Sequence, residues 1–358
     1  MIAATRKVAV LRTVPLFALL ACTPDGSVSR TAGAGVVDSG STDSAAADTD
    51  SGVESDTADT AAEHTAEDTA PKDTGEAPVD VVRFVALGDA GEGNSEQYAV
   101  ADAIAVVCAR DGCDFALYLG DNFYDSGVED TADPQWDEKF ELPYAELDFP
   151  FYPALGNHDY GGEGIGWELW KGSIYVDYSA LSDKWTMPDL YYAHTHAHAS
   201  FFGLDTTQVF WGFGDDQADW MRDQLARDTS TWRVAYGHHP YLSNGPHGNA
   251  GEYEGLDWVP IVNGAAIEAF VDDRLCGQVD LYIDGHDHSL QWPQSTCSGT
   301  EFIVSGAGAK TTELEGDNPT WFEAEIEGFV WIELRGRTLT GVVYDLNGVE
   351  LFRRTVVK

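Results

Sequence analysis

Positive charge is scarce in this chain. Its 358 residues carry 20 Lys and Arg against 61 Asp and Glu, a formal net charge of −41 at pH 7. So acidic a surface argues against a nucleic-acid partner, because binding to a phosphate backbone is driven by cationic side chains. Residues 23–80 lack Phe, Trp, Tyr, Leu, Ile and Met altogether. Such a stretch cannot bury enough apolar surface to offset its chain entropy and is expected to be disordered. The apolar stretch near the N-terminus, TVPLFALLA, is too short to cross a bilayer, which takes roughly 20 apolar residues. There is no internal repeat. The glycine-rich YGGEGIG (160–166) is followed by no Lys-Ser/Thr, which excludes a P-loop and leaves a mobile rim as the expectation.

Three regions follow from what is present. Residues 1–22 read as an export signal, with Arg6, Lys7 and Arg12 around a short apolar run. The run ends in LLAC, which resembles the lipobox of bacterial lipoproteins. That resemblance implies cleavage before Cys22, lipid on its sulfur and anchoring at the cell envelope; plain secretion with cleavage elsewhere is the competing reading. Residues 23–80 hold 14 acidic and 2 basic residues, so self-repulsion extends a coil that would span on the order of 40 Å if neutral. The segment suits a tether, and its Asp repeats lack the fixed spacing of a calcium loop. Residues 81–358 form a folded domain large enough to bury a substantial core. It keeps 47 acidic residues against 15 basic, which fits salty surroundings where like-charge repulsion is screened.

The chain has five cysteines. With Cys22 lipidated, Cys108, Cys113, Cys276 and Cys297 remain, and an even number in an exported chain favours disulfides. Pairing of nearest neighbours, 108–113 and 276–297, is the expectation among three possibilities. A four-thiolate zinc site is the alternative, but the spacing lacks two short C-x₂₋₄-C knuckles.

Buried-strand runs occur at 81–87, 115–119, 151–155, 233–236, 280–283 and 302–305. Helix-like runs occur at roughly 95–110, 134–142, 216–228 and 264–275, with Asp215 and Asp216 as candidate caps for the third. The tail from Phe329 alternates, with turn signals at GR and NG, and reads as a three-stranded meander. The strand ends carry the chemistry. VAL is followed by GDAG (88–91), LYL by GDNFY (120–124), PAL by GNHD (156–159), VAY by GHHP (237–240) and LYI by DGHDH (284–288). One Gly-Asp after a strand is ordinary turn chemistry. Five strands ending in glycine plus a metal-binding side chain are not, because ligand sites in α/β sheets form beyond the carboxyl ends of strands.

These motifs, in this order, resemble the purple acid phosphatases within the calcineurin-like metallophosphoesterases, and most closely the small tartrate-resistant type. The resemblance covers essentially all of 81–358 and extends to LGDNFYDSGV, KWTMPDLYY, HSLQWPQ, VSGAGAK and the closing meander. It implies an α/β fold of two mixed sheets packed as a sandwich and flanked by helices in α/β/β/α layers. It also implies a ferric ion on Asp89, Asp121, Tyr124 and His288. A divalent ion, Fe(II), Zn or Mn, would sit on Asp121, Asn157, His238 and His286, with Asp121 bridging. Hard oxygen ligands suit the trivalent iron, and imidazole with an amide oxygen suits the divalent ion. The implied reaction is hydrolysis of phosphate monoesters at mildly acid pH. His158 and His247 are placed to bind phosphate and protonate the leaving oxygen, with Tyr241 and Asn244 lining the same loop. Ala90 departs from the family, where an aromatic is usual.

Other histidines are set apart. His194, His196 and His198 share one face of a strand that does not end in the ligand pattern, and are expected to face solvent. His239 is expected to be structural and Asp287 to orient the neighbouring ligands. Sparse cations favour small phosphate esters over polyanions such as phytate, with no membrane contact except a lipid on Cys22, and a monomer is expected. Two other functions use the same residues: a phosphodiesterase or nucleotidase, and a non-catalytic surface-binding lipoprotein with a relic site.

Overall fold

The computed structural model describes residues 79–256 and 258–358. The export signal, the lipobox at Cys22 and all but the last two residues of the acidic tether lie outside the described residues.

The strands are β1 (Val81–Leu87), β2 (Phe115–Leu119), β3 (Phe151–Ala154), β4 (Tyr192–His196), β5 (Ala199–Gly203), β6 (Trp232–Tyr236), β7 (Leu281–Asp284), β8 (Leu290–Pro293), β9 (Glu301–Ser305), β10 (Thr320–Ala324), β11 (Gly328–Arg335), β12 (Thr338–Asp345) and β13 (Glu350–Val357). The α-helices are α1 (Ser95–Asp111), α2 (Gly172–Tyr178), α3 (Thr206–Phe210), α4 (Asp215–Leu225) and α5 (Ala265–Arg274). One sheet has the order β13-β12-β11-β1-β2-β3 and the other β10-β8-β9-β7-β6-β5-β4. Within them β1, β2 and β3 run parallel, as do β5, β6, β7 and β9, and the closing strands form the expected antiparallel meander.

The two sheets pack face to face, as the period of two along a strand requires. Phe201 belongs to the core between the sheets, where it meets Phe84 of β1 edge-on at 5.3 Å. Its neighbour Phe202 lies in a second cluster with Val209 of α3, Met221 of α4 and Ile267 of α5. Leu281 and Ile283 face the first cluster, whereas Tyr282 faces the second. The central strands of the second sheet, β5, β6, β7 and β9, are therefore buried on both faces, which is why they read as continuous apolar runs. Burying a side chain such as Phe201 contributes about 2–3 kcal/mol.

Both expected disulfides are formed, Cys108–Cys113 and Cys276–Cys297, so none of these four cysteines is left as a thiolate for a zinc site. Three expectations need correction. The helix at 134–142 is a π-helical stretch, Asp137–Glu141. Asp215 and Asp216 do not cap α4; Gly214 precedes it and they lie in its first turn. On β4 His194 turns inward, His196 stays partly exposed 3.8 Å from Asp114, and Ala193, Thr195 and Ala197 are exposed. His194 lies between Tyr152, at 3.7 Å and 13° to its ring, and Phe201, at 5.0 Å and 10°. Aromatic stacking selects that face.

No helix among the described residues is long and apolar enough to cross a membrane.

Candidate metal centre

Five loops leave the carboxyl ends of β1, β2, β3, β6 and β7, and they bond to one another. Asp89 N donates to Gly120 O at 3.0 Å, Gly91 N to Asp121 O at 3.2 Å and Gly285 N to His238 O at 3.0 Å. His286 N donates to Asp89 Oδ2 at 2.8 Å. Gly120 has φ +92, and a Cβ there would stand 2.6 Å from His238 Nδ1, so only glycine lets these loops close. Asp89, Asp121 and His286 also have positive φ, at 57°, 49° and 70°. For non-glycine residues each costs on the order of 1–3 kcal/mol, the kind of strain that collects at functional sites.

The seven sequence-predicted donors come together as two groups. In the first, Tyr124 Oη lies 3.0 Å from Asp121 Oδ2, 3.1 Å from Asp89 Oδ1 and 3.2 Å from His288 Nε2. In the second, His238 Nε2 lies 2.8 Å from Asn157 Oδ1, 3.0 Å from His286 Nδ1 and 3.5 Å from Asp121 Oδ1. The two oxygens of Asp121 thus face one group each.

The second group tests whether these residues fit a cation. His238 Nδ1 is 3.0 Å from Leu119 O; a carbonyl only accepts, so Nδ1 carries a proton, and in the neutral ring Nε2 presents a lone pair. Asn157 Nδ2 donates to Gly164 O at 2.7 Å, which turns Oδ1 toward His238. With the ring neutral, as a metal ligand must be, two acceptors face each other at 2.8 Å, with a carboxylate oxygen beside them. A positive ion reconciles that arrangement, and the donor set fits one.

Burial works to raise the Asp121 carboxyl, but His238, His158, the His158 backbone N–H and His288 outweigh it and bring it to about 2. Burial and the charges of Asp121 and Asp89 hold the Tyr124 phenol well above its ordinary value; a directly bound cation reverses that and takes the proton. Burial and the surrounding histidines push His286 well below the ordinary imidazole range, favouring the neutral ligand form.

The two outer histidines flank the centre. His158 Nδ1 is 2.7 Å from Asp125 O, leaving Nε2 4.0 Å from Asp121 Oδ2. The expected mobile rim at 160–166 packs on this side: a Cβ at Gly164 would stand 2.5 Å from the His158 ring. His247 stacks on His286 with ring centroids 3.9 Å apart, and its Nδ1 lies 2.5 Å from Glu254 Oε1. Burial disfavours a charged His247, but Glu254, Asp287 and Asp89 outweigh burial and raise its pKa.

Several neighbouring roles differ from expectation. Asp287 does not orient His286 or His288; its Oδ1 accepts the His247 N–H at 3.0 Å and so holds the His247 loop. Tyr241 donates to Asp272 of α5 at 2.7 Å instead of lining that loop. Asn244 is buried, bonding to Gln291, Asn318 and Glu323. His239 is structural as expected, buried against Phe210 and 3.0 Å from Thr206 Oγ1.

Asp159, outside the sequence-predicted site, joins two of the five loops. Its carboxylate accepts from Asn122 N at 3.0 Å, Phe123 N at 3.1 Å and Gly156 N at 2.8 Å. The last residue of GNHD was the available signal. Glu254 had none, being seven residues from its partner in an irregular loop.

Comparison with known proteins gives the chain a family. The family model for calcineurin-like phosphoesterase matches residues 82–290. Tartrate-resistant acid phosphatase type 5 of Mus musculus is 27% identical over 324 residues, covering 79% of this chain and 92% of that protein. Purple acid phosphatase 3 of Arabidopsis thaliana is 28% identical, covering 75% of each. Among solved structures, a purple acid phosphatase from yellow lupin seeds aligns with TM-score 0.57 at 17% identity, over 78% of this chain and 54% of that one. GAP50, the anchor in the inner membrane complex of Plasmodium, aligns with TM-score 0.62 at 21% identity, over 78% and 89%. At those identities the two structures establish the layered fold, and a fold hosts more than one function.

Proposed function

The chain belongs to the calcineurin-like phosphoesterases, a family of hydrolases, and on that premise we propose that it is an acid phosphatase acting on phosphate monoesters at a dinuclear metal centre. One observation carries the reading: Asp121 turns Oδ2 to Tyr124 and Oδ1 to His238, one carboxylate shared between two donor groups. The acid phosphatases among its relatives, similar over most of this chain, support it.

In this reading Asp89, Asp121, Tyr124 and His288 hold a ferric ion, and Asp121, Asn157, His238 and His286 hold Fe(II), Zn or Mn. When bound, such a pair supplies charge for a phosphoryl oxygen and an activated water. The chain's own residues position and protonate. His158 fixes a phosphate oxygen through Nε2, its other nitrogen being tied to Asp125 O. His247 carries a proton on Nε2 for the leaving oxygen, and Glu254, bonded at Nδ1, favours the protonated ring at mildly acid pH. Phosphoryl transfer needs chiefly positioning and charge stabilisation.

The substrates are small phosphate esters, and the protein acts as a monomer. Residues 1–22 direct export, residues 23–80 form the tether, and lipid on Cys22 anchors the protein at the cell envelope. Two disulfides suit an oxidising compartment.

The test is metal analysis and a visible spectrum of the purified protein, with rates on a monoester and a diester. The expected result is two metals per chain, a phenolate-to-iron charge-transfer band that Tyr124→Phe abolishes, and preference for the monoester. A band that survives Tyr124→Phe removes Tyr124 as the ligand. A diester preference transfers the site to a phosphodiesterase or nucleotidase, and protein without metal or turnover is the non-catalytic binding module.

A further inference from the structure

Lys310 belongs to neither donor group, yet its ammonium stands over the face of the Tyr124 ring, 3.3 Å from the centroid. The position is built from several sides. Gly308 N donates to Gly88 O at 3.0 Å, and Asn94 Nδ2 donates to Ala309 O at 2.9 Å. A Cβ on Gly308 would stand 2.6 Å from the Ala90 methyl and 2.6 Å from Gly88 O, so the segment after β9 lies directly on the loop that carries Asp89. Lys310 Nζ is then pinned by Glu92 Oε1 at 2.5 Å. The ring beneath it is only 3% exposed.

We propose that Lys310 is a positioning residue that tunes Tyr124 as a metal ligand. A cation on the face of an aromatic ring is attracted by the ring quadrupole, and more strongly when the ring bears the charge of a metal-bound phenolate in a site with little water to screen it. The ammonium stabilises electron density on the ring, weakens the donation of the phenolate to the metal and leaves that metal electron-poor. Glu92 holds the ammonium in place and offsets part of its charge. Tuning of this kind by groups outside the ligand set is a general property of metal sites. The inference rests on Tyr124 being an iron ligand.

The experiment compares the visible spectrum and the Fe(III)/Fe(II) midpoint potential of the full chain, loaded with iron, for wild type, Lys310→Met, Lys310→Gln and Lys310→Arg. Loss of the cation raises the energy of the phenolate donor, so Lys310→Met and Lys310→Gln move the charge-transfer band to longer wavelength and lower the potential. Lys310→Arg keeps both near wild type. Circular dichroism checks each fold, and Lys310→Gln serves if Lys310→Met does not fold. A wild-type band that both neutral substitutions leave in place overturns the inference while Tyr124 stays a ligand. Absence of the band from the iron-loaded wild type overturns the assignment of Tyr124 and the tuning with it.

Discussion

Two groups of three histidines, both chemically able to bind a metal, meet different fates in this molecule. His194, His196 and His198 alternate along and beyond β4. His238, His286 and His288 come from two loops at the carboxyl edge of the second sheet. In the first group, His194 is stacked between Tyr152 and Phe201, and both ring nitrogens of His194 and of His198 are buried without partners. Burial, with His196 as a lesser cause, brings the His194 pKa down to about 3. In the second group, the ring nitrogens of His238 and His288 meet Asp121 and Asp89 at 3.5 Å. What separates the groups is the company of the nitrogens. Aromatic faces make an imidazole a flat apolar side chain, whereas converging carboxylates, an amide and a phenol suit it to bind a metal.

The largest break in this comparison is expected from Asp121→Asn. It leaves the ring of His238 in place and removes the shared charge, so metal content should fall below two per chain. Phosphatase rate should drop by about a thousandfold, several kcal/mol of charge stabilisation at about 1.4 kcal/mol per decade. Retention of both metals and full rate would mean that the carboxylate does not join the groups. Asp159→Asn, which touches no donor, weakens the clamp between the 120–124 and 156–159 loops; metal affinity or rate should fall roughly 10–100-fold, readable by titration of metal into stripped protein.

Glu254→Gln acts more gently. Loss of the carboxylate lowers the pKa of His247, so the protonated acid is lost at a lower pH. The alkaline limb of the kcat profile should move down in pH while the rate at the acid end changes little. An unmoved limb would separate His247 from the proton transfer.

The smallest effect on activity belongs to His194→Phe, which should leave metal content and kcat unchanged. It should alter stability instead. The folded His194 is harder to protonate than the unfolded one, so the unfolded state binds more protons between about pH 6.5 and the folded value of about 3. The His194 contribution to stability is therefore complete above that window and declines as pH falls through it. Replacement by Phe should flatten this part of a denaturation-midpoint-against-pH curve; equal slopes would show that His194 does not govern it.

Much of the candidate site was legible because five of its seven candidate ligands, Asp89, Asp121, Asn157, His238 and His286, directly follow a glycine at a strand end. Asp159 was visible only as a letter in GNHD, since its role is to accept N–H groups from a loop more than thirty residues away. The inward turn of β4 was not legible, because alternation identifies two faces without saying which one meets the other sheet. Glu254 and Lys310 were hidden for a similar reason, as each acts through one contact that irregular loops bring about.

The sequence by itself determined the identity and order of the candidate metal donors, the strands that end near them, the cysteine pairing expected from proximity and the layered α/β class. These depend on local chemistry and short periods. Only the tertiary structure decided that Asp121 offers one oxygen to each donor group, that Asp287 serves the His247 loop instead of its neighbouring histidines, and that Lys310 lies on the Tyr124 ring. The physical reason is that direction and distance between loops are set by the packing of two sheets, and a difference of one or two ångströms decides whether a side chain is a ligand, a brace or a charge above a ring.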